Sequence, residues 1–374
     1  MSDLRLKLVG SDQEVEQYKR CYEEVWRQGK PFEPGDIDPN DNAMRYLALL
    51  GDEVVGSYKV HRYRITRWED ELDCAGVASV GVVPHHRSSG VGAEMMRLSL
   101  REMHDQGFAI AALYPFRGKY YRQFGYEFCG SRWQIKCPVP RLPKFTSQLR
   151  ARRVAVEDVY SLDACYREFI KGYNGANVRT EEQWRLRMGK GAPLIYAVGD
   201  PIEAYAWTSM EGGFWEDLYV GEIAWSTPRG YESIMAVLRG LAINRSHLVW
   251  SEPAEGPYIS RYLDQGAEVA LHRPAMYRIL SMEKCFAGFG TVLCIDVVDD
   301  HLAENSGKFL ATPVSCGRTD RDADVEGSVG SVTQAFLGEP GWRALVKEGA
   351  LIVHDEIEAE IGLSAMPCLC TEFF

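Results

Sequence analysis

The chain has 374 residues, 46% of them hydrophobic and 25% charged, with a formal net charge of −11. That length exceeds one ordinary core and predicts two or three domains of a soluble globular protein. The acidic balance argues against a nucleic-acid partner, and no apolar run is long enough for a bilayer span. The N-terminal residues lack the basic head and apolar stretch of a secretory signal. Ten cysteines are scattered without a Cys-x-x-Cys pair, which predicts reduced thiols, a cytoplasmic setting and no metal centre.

Ser11 and Glu14 have the spacing of a capping box, and Val15, Tyr18, Cys21, Tyr22 and Val25 follow at helical intervals. Residues 29–42, GKPFEPGDIDPNDN, are too rich in Pro, Gly and Asp for regular structure. Glu33, Asp36, Asp38 and Asp41 in that loop either meet an ammonium substrate or are simply solvated. Residues 46–50 and 54–60 read as strands joined by a Gly51-Asp52 hairpin turn.

The stretch over residues 76–128 organises the rest. Residues 77–83 form a β-branched apolar run, and Pro84 ends it because proline has no N–H to donate. Then come Arg87-Ser88-Ser89-Gly90-Val91-Gly92, a helical pattern over 93–106, Gly107 at its C-cap, and a returning strand over 108–113. Strand, glycine loop, helix and strand together build an anion site. Gly90 and Gly92 lack Cβ atoms, the first-turn amides have no intrahelical partners, and Arg87 adds positive charge. No Lys-Ser/Thr follows the last glycine, so this is not a Walker loop. The residues between the strand and Gly90 also make it a poor dinucleotide fingerprint.

Residues 133–139 read as the last strand of this first domain, followed by a linker near 141–147 punctuated by Pro138, Pro140 and Pro143. The second third repeats the plan. Helices are predicted over 156–170 and from Thr180 to Met188, strands over 194–198, 202–208 and 218–225, a helix over 231–242 and a strand over 247–251. Tyr262, Gly266 and Glu268 align without gaps on Tyr121, Gly125 and Glu127, which marks a duplication. The loop of this second copy, Ser226-Thr227-Pro228-Arg229-Gly230, has one glycine and a proline, so it is not expected to bind the same anion. In the final third, Leu293-Cys294-Ile295-Asp296-Val297-Val298-Asp299 precedes Glu304-Asn305-Ser306-Gly307-Lys308-Phe309, and the chain ends Thr371-Glu372-Phe373-Phe374. On composition this is an α+β module.

Val82-Val83-Pro84 with Arg87-Ser88-Ser89-Gly90-Val91-Gly92-Ala93 resembles the acetyl-coenzyme A signature of the GNAT N-acetyltransferases. Tyr121-Arg122-Gln123-Phe124-Gly125-Tyr126 is similar to the Y-x-x-F-G-Y run of the Eis-like (enhanced intracellular survival) members of that family. The resemblance covers nearly the whole chain. It implies a mixed α/β architecture of tandem GNAT folds plus a sterol-carrier-protein-2-like domain, divided at 1–145, 146–284 and 285–374. It further implies acetyl transfer from acetyl-CoA to an amine of an aminoglycoside, a polyamine or a lysine-like substrate, and a hexameric assembly. Residues 82–84 would lie along the cofactor's pantetheine arm, and residues 87–93 would hold its pyrophosphate.

Tyr121 is the expected general acid: a reference pKa near 10 keeps it protonated, above the value of about 8.5 for a thiol, and transfer is expected to become favourable as the thiolate develops. Neighbouring tyrosines at 114, 120 and 126 do not separate from it by pattern alone; the resemblance selects Tyr121. The resemblance also makes the terminal carboxylate of Phe374 the general base, with His85, His86 and His104 as the alternatives. Phe373 stands where some relatives carry an acid, and Phe116-Arg117 where a small polar pair is expected, so the amine is less determined than the reaction. A different class of reading is an apolar-ligand-binding protein whose acetyltransferase part is degenerate; intact Gly90, Gly92 and Tyr121 count against it.

Overall fold

The computed structural model describes residues 3–33, 43–189, 194–209, 212–363 and 366–372. The chain divides into two compact units. One is built from the residues up to Cys129 and from Pro274–Met366, the other from Gly130–Arg273 with Pro367–Cys370.

The first unit opens with β1 (Leu4–Leu8), α1 (Asp12–Trp26), β2 (Met44–Leu50), β3 (Glu53–Arg67), β4 (Asp70–Val82), α2 (Val91–Asp105), β5 (Ile110–Leu113), α3 (Gly118–Arg122) and β6 (Glu127–Phe128). The Ser11–Glu14 capping box forms at α1: the Ser11 hydroxyl accepts from the Glu14 amide at 3.4 Å, and the Glu14 carboxylate accepts from the Ser11 amide at 2.9 Å. Helix α1 packs directly on β4. A Cβ on Gly81 would lie 2.4 Å from Val25 Cγ1, so only glycine admits the helix there. Val55, Val77, Met95, Met96, Leu100 and Leu113 fill the core between α2 and the sheet.

The second unit holds β7 (Arg132–Pro138), β8 (Ala151–Arg153), α4 (Val159–Ile170), α5 (Glu181–Gly189), β9 (Leu194–Val198), β10 (Ala204–Thr208), β11 (Leu218–Trp225), α6 (Pro228–Leu241), β12 (His247–Pro253), α7 (Ser260–Leu263) and β13 (Glu268–His272). The two hairpins and the strand–helix–strand passages expected in each half are present. Strand β14 (Met276–Ile279) follows.

Sheet order corrects one expectation. The first sheet runs β1-β2-β3-β4-β5-β14-β6 and the second β8-β9-β10-β11-β12-β7-β13. Residues 133–139 therefore do not close the first sheet: Arg132–Pro138 pairs antiparallel with β12 and β13. Its place in the first sheet is taken by β14, antiparallel to β5 and β6. In both sheets the only parallel neighbours among the described strands are β4 with β5 and β11 with β12. The two sheets are tandem copies of one topology in which the penultimate strand has been exchanged.

The remainder of the first unit is α8 (Met282–Phe286), β15 (Leu293–Val298), β16 (Gly307–Ala311), β17 (Cys316–Arg318), β18 (Val325–Ser328), α9 (Val329–Leu337), α10 (Trp342–Lys347), β19 (Leu351–Val353) and α11 (Glu356–Gly362). Its sheet runs β17-β16-β15-β18-β19. A fully buried ion pair joins it to β14: Arg278 Nη2 donates to both Asp299 oxygens at 2.7 and 2.8 Å. Asp299 also accepts from the His301 and Leu302 amides, and from Asn305 Nδ2 at 3.3 Å. Asn305 in turn donates to the Leu280 carbonyl and accepts from the Met282 amide.

Removing one member of such a pair strands the other charge in the interior. Asp299→Ala is expected to cost about 3–5 kcal/mol in urea unfolding. The exposed neighbour change Asp300→Ala is expected to stay within about 0.5 kcal/mol. Equal losses in the two variants would rule out a stabilising role for the pair.

Candidate active site

Strand β4 carries a bulge where Tyr58 faces two residues, with Ser79 at φ 51°. Its parallel pairing with β5 covers Cys74–Val77 against Ile110–Leu113. Beyond Val77, β4 continues to Val82 while β5 ends, so this stretch of β4 keeps main-chain groups that β5 does not take up. A 3₁₀ turn, Pro84–His86, then leads into the loop, where Gly90 takes φ 89° as N-cap of α2. No side chain caps α2. The first-turn amides therefore point outward without a side-chain acceptor, and the helix dipole reinforces them. This arrangement fits a phosphate group. Arg87, expected to face that anion, instead donates from Nε to the Val82 carbonyl at 3.1 Å.

Tyr120 and Tyr121 on α3 bring aromatic side chains to the same place. The Tyr120 hydroxyl stands 3.0 Å from where a Cβ on Gly92 would lie. The Tyr121 ring is 3% exposed and meets Tyr120 edge-on at 5.1 Å, Phe116 at 5.5 Å and Tyr126 at 6.2 Å. Among the described residues its hydroxyl has no hydrogen-bond partner and is not sealed from solvent, whereas that of Tyr126 is sealed without a partner. Burial, with Tyr120 adding, pushes the Tyr121 phenol well above its ordinary value. Transfer of this proton to a thiolate is uphill even at the ordinary phenol value, contrary to the expectation above, and burial makes it more so. What the hydroxyl offers without cost is a hydrogen bond to developing negative charge.

The backbone of residues 121–126 is fixed from distant sequence, which no local pattern could disclose. Arg278 Nε donates to the Phe124 carbonyl at 2.6 Å, and His301 Nε2 donates to the Gln123 carbonyl at 2.7 Å. Asp299, which grips Arg278, thus reaches the tyrosine motif through one side chain.

The other expected residues separate. His85 and His86 turn towards Glu53, each with Nε2 3.1 Å from its Oε1, and His104 turns to Asp105. Glu33 pairs with Arg27 at 2.6 Å. Asp36, Asp38, Asp41, Phe373 and Phe374 lie outside the described residues, so the terminal carboxylate is not placed. Glu372 is buried, and Phe116 is exposed.

In the second copy the corresponding groups are occupied. Thr227 Oγ1 accepts from the Gly230 amide at 3.0 Å, Pro228 offers no N–H, and Arg229 binds the Glu203 carboxylate at 2.6 and 2.8 Å. Tyr262, aligned with Tyr121, pairs its hydroxyl with that of Tyr231, which donates to Glu252 at 2.5 Å.

Residues 9–129 match the family model described as the acetyltransferase (GNAT) domain. No curated protein sequence matches the chain. Among solved structures, it is similar to a GCN5-related N-acetyltransferase from Anabaena variabilis (TM-score 0.84, 18% identity, 99% of this chain and 100% of that one). A protein of unknown function from Enterococcus faecalis, described as a probable N-acyltransferase, matches at TM-score 0.85 and 16% identity over 99% and 100%. Eis1 from Mycobacterium abscessus matches at 0.78 and 17%, again over 99% and 100%. With the uncapped α2 terminus and the tandem topology, these likenesses establish that the chain carries a GNAT acetyltransferase domain over residues 9–129, on a mixed α/β fold shared along its length with these structures, and is an acyltransferase.

Proposed function

We propose that the chain is an N-acetyltransferase that moves acetyl from acetyl-CoA to an amine of a small cationic substrate (aminoglycoside, polyamine or lysine-like) by direct attack. The observation that carries this reading is the neighbourhood of the uncapped α2 terminus, the end of β4 past its pairing with β5, and the free Tyr121 hydroxyl. Bound acetyl-CoA supplies an activated thioester. Main-chain groups of Val82, Val83 and Pro84 line its arm, and those of Arg87, Ser88, Ser89, Gly90, Val91, Gly92 and Ala93 take its pyrophosphate. Tyr121 is the proposed general acid, its hydroxyl donating a hydrogen bond to sulfur as the carbon–sulfur bond breaks and negative charge builds on the leaving group. The α-carboxylate of Phe374 accepts the proton lost by the attacking nitrogen. Capping by Thr227 and the Tyr231–Glu252 bonding of Tyr262 support a second copy that does not bind the cofactor. The module after residue 285 is read as sterol-carrier-like, and its contribution to the reaction is the chain terminus.

Two measurements test the roles. Tyr121→Phe keeps the ring and removes the donor; kcat is expected to fall by about 10²-fold or more with little change in KM for acetyl-CoA, followed as CoA release over a panel of amines. Wild-type turnover in that variant would eliminate the acid. A chain ending at residue 373 relocates the carboxylate by one residue, and a similar loss of kcat is expected. Full activity of that truncation would leave the base to another group.

A further inference from the structure

Ahead of the anion loop, four side chains from three elements converge on one spot. Glu53 begins β3 just after the hairpin turn, His85 and His86 form the 3₁₀ turn after β4, and Glu24 lies on α1. His85 Nε2 and His86 Nε2 each stand 3.1 Å from the same Glu53 oxygen, with the two rings 4.7 Å apart. On the far side of its ring, His85 Nδ1 is 3.5 Å from Glu24 Oε1. One ligand atom from each of Glu53, His85 and His86 lies within 4.8 Å of the others.

The arrangement has an electrostatic consequence. A neutral imidazole has one N–H and one lone pair. His85 faces a carboxylate with each nitrogen, so when Nδ1–H donates to Glu24 the Nε2 lone pair points at the Glu53 oxygen. His86 brings a second ring nitrogen to that oxygen. A positive centre among the three atoms relieves this crowding. In the other tautomer both Nε2–H groups donate to the Glu53 oxygen; with the Nε2 lone pairs turned inward, a metal ion satisfies all three ligands at once.

We propose that Glu53, His85 and His86 form a binding site for a Zn²⁺-class divalent transition metal, with Glu24 orienting His85. Ligand atoms bound tetrahedrally at about 2.0–2.2 Å from zinc lie about 3.3 Å from one another, close to the two histidine–Glu53 edges of 3.1 Å. Two imidazoles and one carboxylate favour Zn²⁺, Co²⁺, Ni²⁺ or Cu²⁺ over Mg²⁺ and Ca²⁺. The fourth position is open to water, because His85 and Glu53 are solvent-exposed. Glu24 is the outer carboxylate that fixes the ring tautomer, as is usual for metal-bound histidine. The bound ion ties the β2–β3 hairpin to the turn that leads into Arg87 and Gly90. The site is independent of the acetyl-transfer reading, and its test needs no substrate.

The metal-free full chain is titrated with Zn²⁺ by calorimetry, and with Co²⁺ followed by visible absorption. Expected are one saturable equivalent, Co²⁺ d–d bands of a low-coordinate N/O site without thiolate charge transfer, and a rise in melting temperature with Zn²⁺. In His85→Ala/His86→Ala that equivalent is expected to weaken at least tenfold and the melting shift to vanish. Glu53→Gln, close in shape, is expected to weaken it as well, and Glu24→Gln by about tenfold. Circular dichroism of the metal-free variants checks that they remain folded. Wild-type affinity in the double-histidine variant would overturn the site. Absence of any saturable equivalent in the wild type would overturn it equally, leaving only the hydrogen bonds of the two rings to Glu53.

Discussion

The segment carrying Tyr121 leans on one buried ion pair, Arg278 with Asp299. Taking both charges out of water is expensive, and the pair is tolerable because both groups make further hydrogen bonds. Nη2 of the guanidinium binds both carboxylate oxygens, while Nε and Nη1 reach the Phe124 and Ile279 carbonyls. The carboxylate accepts main-chain amides of the turn that follows β15. A strand, the turn of another sheet and the segment carrying Tyr121 are thereby held in one register. The hydroxyl of Tyr121 can stay free of partners because the backbone behind it is restrained elsewhere.

The two copies differ in what the same helix terminus leaves open. In the first, glycine at the N-cap leaves the helix terminus open and adds no competing acceptor. In the second, threonine caps the helix, proline removes an amide, and an arginine is drawn to a buried glutamate. Tyrosines diverge in the same sense: Tyr121 has an unengaged hydroxyl, whereas Tyr262 is absorbed into a hydrogen-bonded cluster with Tyr231 and Glu252. Small local substitutions at a helix end separate an open terminus from a capped one.

The local features were legible. The capping box at Ser11, the hairpins, the glycine loop and the duplication each rest on residues close in sequence, where spacing maps directly onto geometry. The exchange of strands was not legible, because alternating residues over 133–139 suit either sheet and nothing in a two-residue period names the partner strand. Arg278 escaped for a related reason. It lies 154 positions from the carbonyl it grips, and an arginine in a strand reads as a surface residue until its burial is known. His85 and His86 were weighed as bases from their nearness to the loop, but their rings turn to Glu53.

The traded strands have a consequence for how the molecule is made. During synthesis the opening sheet lacks a member until Ile279 has left the ribosome, since β14 must slot between β5 and β6. The nascent N-terminal half has to wait, with two edges unzipped, while the whole following repeat is translated. Severing the gene between the repeats would leave each fragment carrying a strand that belongs to the other's sheet and lacking one of its own.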